Sequence, residues 1–151
     1  MKGGGFTAPL DGFLTVPEII YEPEILNSFE VGIKSTFADG RARLNAAAFV
    51  YDYEDYQGYV FQGLTSQVRN FDAEIHGGEI ELELVPAEGL FASLGVSVLD
   101  ATVKDVELAS GGTADQQMIT APDLSLNLLA RKTWDVSQGG SISLQLDGRY
   151  V

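Results

Sequence analysis

Gly78-Glu79-Ile80-Glu81-Leu82-Glu83-Leu84-Val85-Pro86 alternates residue by residue, three carboxylates against three aliphatics. A period of two marks a strand with one apolar and one polar face, because successive side chains leave a strand on opposite sides. The same period recurs outward from this run. Leu90, Ala92, Leu94, Val96 and Val98 share one face just downstream. The intervening Ala87-Glu88-Gly89 fits a three-residue hairpin loop with glycine in the left-handed position. Such a loop pairs Leu84 with Ala92, Leu82 with Leu94 and Ile80 with Val96, apolar against apolar.

Upstream, Phe29, Val31, Ile33 and Phe37 alternate with Glu30, Gly32, Lys34 and Thr36, and a second run carries Ala42, Leu44, Ala46, Ala48 and Val50. Asp39-Gly40 lies between them, the residue pair that a type I′ turn prefers because both central positions need positive φ. A two-residue turn sets Ile33 opposite Ala46 and Val31 opposite Ala48; one more residue would switch every pair to the other face. Near the end, Leu124, Leu126, Leu128 and Ala130 face Ile142, Leu144 and Leu146 across Ser137-Gln138-Gly139, with Ala130 opposite Leu146. Residues 25–151 thus read as three hairpins and about six strands. Residues 1–24, with Gly3 to Gly5, Pro9, Gly12, Pro17 and Pro23, lack sustained periodicity and read as a loop.

The turns within hairpins are tight, whereas the links between hairpins, about residues 54–75 and 100–122, are long and rich in Gly, Asp and Glu. An up-and-down sheet then carries its tight turns at one end and its long links at the other, as outer-membrane barrels do. Roughly eleven residues, at ~3.4 Å each and tilted ~40–45°, span about 25 Å, the height of a lipid-facing band. The polar face, with Glu79, Glu81, Glu83, Lys34, Arg43, Asn127, Arg131, Gln145, Asp147 and Arg149, suits a wet lumen. The alternative is a soluble all-β ligand-binding module whose apolar face packs on a second sheet.

Composition agrees. The 151 residues are 45% hydrophobic and 21% charged, which argues against disorder. No apolar run approaches the ~18 residues of a membrane helix. Asp+Glu 22 against Lys+Arg 9 gives a net charge of −13, which argues against nucleic-acid partners. With no Cys there is no disulfide framework and no thiol chemistry. The N-terminus has no apolar stretch of the kind a secretory signal needs.

A string of landmarks resembles the β-barrel of TonB-dependent outer-membrane receptors. Lys2-Gly3-Gly4-Gly5-Phe6 resembles the end of one barrel strand, and Pro23-Glu24 precedes Phe29-Glu30-Val31-Gly32-Ile33-Lys34-Ser35. Leu44-Asn45-Ala46-Ala47-Ala48-Phe49 leads into the Tyr/Asp-rich tail Tyr51-Asp52-Tyr53-Glu54-Asp55-Tyr56-Gln57. Asn70, Gly78-Glu79-Ile80-Glu81, Leu99-Asp100-Ala101 and Ala121-Pro122 continue the series. The likeness covers nearly the whole chain; no TonB box, plug domain or closing aromatic-terminated strand is found in it.

The resemblance implies an internal segment of a barrel of about 22 strands, an antiparallel up-and-down meander forming a partial, unclosed transmembrane β-barrel. Six strands fall below the smallest closed barrels, of about eight. The whole receptor would sit in the outer membrane of a Gram-negative cell and take up a nutrient such as a siderophore, cobalamin or glycan. Its partners would be outer-membrane lipid, the rest of the barrel and plug, and TonB through that plug. No cofactor and no enzymatic activity are implied, and this segment alone would not transport.

Candidate residues follow from position. Ile80, Leu82, Leu84, Leu94, Val96, Leu126, Leu128, Leu144 and Leu146 are expected to face lipid. Phe37, Trp134 and Tyr150 are expected in the aromatic girdles at the membrane interfaces. Tyr51, Tyr53, Tyr56, Tyr59 and Phe61 cluster at the long-link end and could stack on a ligand or join a girdle; Tyr53, Tyr56, Gln57 and Tyr59 are the ligand-facing candidates. The ladder of Glu79, Glu81 and Glu83 reads either as a cation path or, preferably, as a hydrated wall paired with Arg and Lys of neighbouring strands. Asp52, Glu54 and Asp55 lack the spacing of an EF-hand and read as a solvated loop. Gly3 to Gly5 lacks the Lys-Ser/Thr of a phosphate loop and reads as a turn. His76, the single histidine, has no triad partners in the sequence pattern. Lys132, on the apolar face beside Trp134, must snorkel or sit in a bulge.

Overall fold

The structure is a computed structural model describing residues 1–7, 19–62, 65–108, 110–119, 121–137 and 139–151; of Phe61, Gln62 and Thr65 it describes the backbone alone. Pro9, Gly12, Pro17 and Gln138 of the expected loops therefore lie outside the described residues, as does the Phe61 side chain. The strands are β1 (Gly5–Phe6), β2 (Ile20–Tyr21), β3 (Ile25–Phe37), β4 (Ala42–Gln62), β5 (Thr65–Ala87), β6 (Leu90–Glu107), β7 (Thr113–Gln117), β8 (Leu124–Val136) and β9 (Gly140–Tyr150). The main sheet runs β3-β4-β5-β6-β8-β9 in chain order, with β7 also against β6, and β1 pairs β2 separately. This is the expected all-β meander, open at both edges.

The pairings follow the hydrophobic pattern. Leu94 pairs Leu128 and Val96 pairs Leu126 across β6 and β8. Ala130 pairs Leu146 across β8 and β9, as the three-residue loop requires. Gly32 on β3 faces β4 where expected: a Cβ there would lie 3.6 Å from that of Ala47, the neighbour of Ala46. β5 and β6 are neighbours in the sheet, and a Cβ on Gly77 of β5 would stand 3.1 Å from the Leu99 side chain of β6. Turn chemistry matches too. Asp39 (φ 56) and Gly40 (φ 82) both have positive φ, and the Arg41 amide donates to the Ala38 carbonyl at 3.1 Å.

Four expectations need correction. The links 54–75 and 100–122 are largely strand: β4 and β5 continue to Gln62 and from Thr65, β6 runs to Glu107, and β7 returns beside it. The alternation is broken there by the positive φ of Asp55 and by the register shift between Val103 and Val106, yet ladder hydrogen bonds do not require an unbroken apolar face. The acids Asp52, Glu54 and Asp55 accordingly stand on β4 rather than in a loop. Residues 1–24 hold β1, β2 and a bridge between Lys2 and Glu24. Gly3 to Gly5 is not a turn, and at Gly4 and Gly5 the backbone makes a close approach: a Cβ on Gly4 would stand 2.6 Å from the Tyr21 carbonyl and one on Gly5 2.7 Å from its hydroxyl.

The chain packs as two compact units. The first comprises Met1–Phe29, Val50–Ile75 and Ala101–Thr120; the second comprises Glu30–Phe49, His76–Asp100 and Ala121–Val151. Among the described residues the buried apolar side chains are Ala42, Ala73 and Ala101 alone. No large aliphatic is among them, which no soluble domain of this size would tolerate.

Candidate functional site

In the first unit, two aspartates break the strand geometry. Asp55 (φ 59) on β4 and Asp105 (φ 51) on β6 adopt the left-handed region, which Asp tolerates better than most residues. The β6–β7 register shifts between Val103 and Val106, around Asp105. Side chains from adjacent strands meet the backbone groups at these breaks. The Asp55 amide donates to Asp72 Oδ1 (3.5 Å), and Asn70 Nδ2 donates to the Asp55 carbonyl (2.8 Å). The Asp105 amide donates to Asp115 Oδ1 (3.1 Å), and the Thr113 hydroxyl to Asp105 Oδ1 (3.3 Å).

Such irregularities re-aim side chains. Tyr53 and Tyr56, three apart, would point to opposite faces of a regular strand. With Asp55 between them their rings instead meet edge to face, with centroids 5.8 Å apart. Burial, then the neighbouring Glu24 charge, raises the Tyr53 phenol above the ordinary tyrosine range.

Around the breaks lies a polar cavity of about 360 Å³, lined by Asp55, Asp72, Lys104, Asp105 and Glu107 among others. Its cations are paired: Arg69 with Glu107 at 2.6 Å, and Lys104 with Glu74 at 3.3 Å and Asp115 at 3.5 Å. Hydrogen bonding to Glu74, with the charges of Glu74 and Asp115, raises the Lys104 ammonium above the ordinary lysine range against an opposing desolvation. Among the described residues no group of three His, Asp or Glu side chains is placed to hold a metal ion.

Gln57, expected among the ligand-facing residues, is instead only 7% exposed and turned onto the chain's own backbone. Its amide nitrogen donates to the carbonyls of Gly3 (3.0 Å) and Glu22 (3.1 Å), and its backbone amide donates to Glu24 Oε2 (3.1 Å). Pro23 has no N–H to offer a ladder, and Gln57 fastens the chain on either side of it. Asn70 adds to this: its Oδ1 accepts from the Glu22 amide (2.7 Å), while Nδ2 donates to the Glu22 carbonyl (3.2 Å). The fastening role of Gln57 and Asn70 was not read from the sequence; the signal was Pro23 inside a stretch that otherwise continues into β3. Tyr59, by contrast, is 72% exposed.

The second unit carries the two-faced wall. Glu83 pairs with Arg43 at 3.2 Å and Glu81 accepts from Asn45 Nδ2 at 3.0 Å, so two rungs of the carboxylate ladder have partners on β4. The Arg131 guanidinium lies 5.4 Å from the Phe91 ring centroid. On the alternate positions, Ile80 (52%), Leu128 (57%), Leu144 (68%) and Leu146 (74%) are exposed, as is Leu94; Leu82, Leu84, Val96 and Leu126 are half-buried. None of the nine is covered by another layer. Phe37, Trp134 and Tyr150 are exposed as well. Lys132 sits in regular pairing with Leu90 and Leu144, so no bulge accommodates it; its Nζ reaches back to the Glu88 carbonyl at 2.7 Å.

A meander of long antiparallel strands with a charged face, an uncovered apolar face and, among the described residues, no large buried aliphatic defines the wall of a transmembrane β-barrel. Residues 3–151 match the family model for the TonB-dependent receptor-like β-barrel, and the chain belongs to that family. The family is one of outer-membrane transporters rather than enzymes. No solved structure matches the chain.

Proposed function

We propose that this chain is a stretch of the barrel wall of an outer-membrane receptor whose complete form takes up a scarce nutrient such as a siderophore, cobalamin or a glycan. Energy would be relayed by TonB through a plug domain. The observation that carries this reading is the set of aliphatics on the second unit that no protein layer covers. In the proposal Ile80, Leu82, Leu84, Leu94, Val96, Leu126, Leu128, Leu144 and Leu146 meet lipid, and Phe37, Trp134 and Tyr150 sit at its interfaces. Seven strands in the described sheet fall short of the about eight needed for closure, which supports a segment that does not transport alone. Tyr53, Tyr56 and Tyr59 face the ligand, with Gln57 holding the strands beneath them. Flotation with lipid vesicles tests the membrane reading. The chain should rise with the vesicles, with a strand-type circular dichroism spectrum; a soluble monomer in detergent-free buffer would overturn it.

A further inference from the structure

Two tyrosines of the first unit, Tyr56 and Tyr59, border a second cavity, of about 220 Å³, walled also by Phe71, Val103, Val106 and Gln116. Gly58 forms part of its floor: a Cβ there would stand 3.0 Å from the Phe71 ring. Aromatic faces and aliphatic walls around one or two amides suit the flat side of a small ring. The volume sets the scale, because drug-sized ligands occupy roughly 300–1,000 Å³. One ring fits, not a whole chelate.

Charge narrows the class further. The first unit holds twelve acidic residues against three basic ones, a net −9 of the chain's −13. Two of its three cations, Arg69 and Lys104, are already held by carboxylates. An anion approaching this cavity meets a like-charged field and no uncommitted guanidinium beside it, which lowers its local concentration. We infer that the cavity takes an uncharged ring of a ligand and discriminates against anionic ones. This rests on the ligand-facing reading of Tyr56 and Tyr59 and narrows it to a substrate class.

The test uses the full chain refolded in neutral detergent micelles, with benzamide and benzoate as probes of equal ring size and different charge. Saturation-transfer NMR should show benzamide binding in the millimolar range and benzoate at least ~10-fold weaker at ~10 mM salt. The gap should shrink at ~0.5 M salt, where the Debye length falls from about 30 Å to a few ångström. Gly58→Leu, and independently Val106→Phe, should abolish benzamide binding while leaving micelle incorporation and the strand spectrum intact. Equal binding of the two probes, or benzamide binding that survives both substitutions, overturns the inference. A chain that fails to enter micelles overturns the barrel-wall reading itself, a different result.

Discussion

Asp55 and Asp105 show what one residue can do to a strand. Each holds a positive φ that most side chains avoid, and each has its amide satisfied by a carboxylate oxygen from another strand position. The sequence showed only acids in a stretch of mixed character; the backbone conformation was invisible because it depends on partners seventeen or ten residues away, at Asp72 and Asp115. The consequence at Tyr53 is measurable. Its folded pKa lies above the unfolded value of 10.0, because burial, then Glu24, disfavours the phenolate. The unfolded chain therefore deprotonates first. Stability is undiminished below pH 10 and falls as pH climbs from 10.0 to the higher folded value. In a 295-nm absorbance titration, the difference between the parent and Tyr53→Phe should show one phenol titrating above the free-tyrosine range. Glu24→Gln should reduce that displacement without abolishing it, since burial is the larger cause.

At the scale of the element, legibility tracked apolar alternation. Wherever one face had to be apolar, strand, turn and register could be read together: Asp39-Gly40 has the expected positive φ pair, and Ala130 lies opposite Leu146. Where alternation stopped, the reading stopped too, although β4, β5 and β6 continue. Strands interrupted at Asp55 and around Asp105 leave only a broken periodic trace, and they are held by the ladder and by side chains such as Asn70, Gln57 and Thr113. The same limit applied to the candidate site: the tyrosine cluster was visible as composition, whereas the cavity beside Gly58 required the path of β7 along β6. Because the chain has no cysteine, the register can be tested by cross-linking. Ala130→Cys with Leu146→Cys should form a disulfide under mild oxidation in micelles, whereas Ala130→Cys with Ile142→Cys, displaced by four residues along β9, should not. Non-reducing electrophoresis distinguishes them.

For the molecule as a whole, the two faces of the second unit define opposite tolerances. Leu128 is exposed on the apolar face, and its sequence neighbour Asn127 pairs with Arg149 on the other. Leu128→Arg should weaken insertion into vesicles by about 2–4 kcal/mol, the cost of a charge at mid-bilayer on a barrel's lipid face. Asn127→Arg should change it far less. Urea titration of vesicle-bound chain reads both.

That the buried apolar side chains among the described residues are alanines, Ala42, Ala73 and Ala101, carries a thermodynamic consequence. The heat-capacity rise of an unfolding protein comes from apolar surface passing from a dry interior into water. An ordinary domain of 151 residues would show about 2 kcal/mol/K on that basis. In the barrel-wall reading proposed above, that surface begins and ends against hydrocarbon. Scanning calorimetry in micelles should record less than about half that increment, leaving a stability curve nearly straight with temperature and without a cold-denaturation limb.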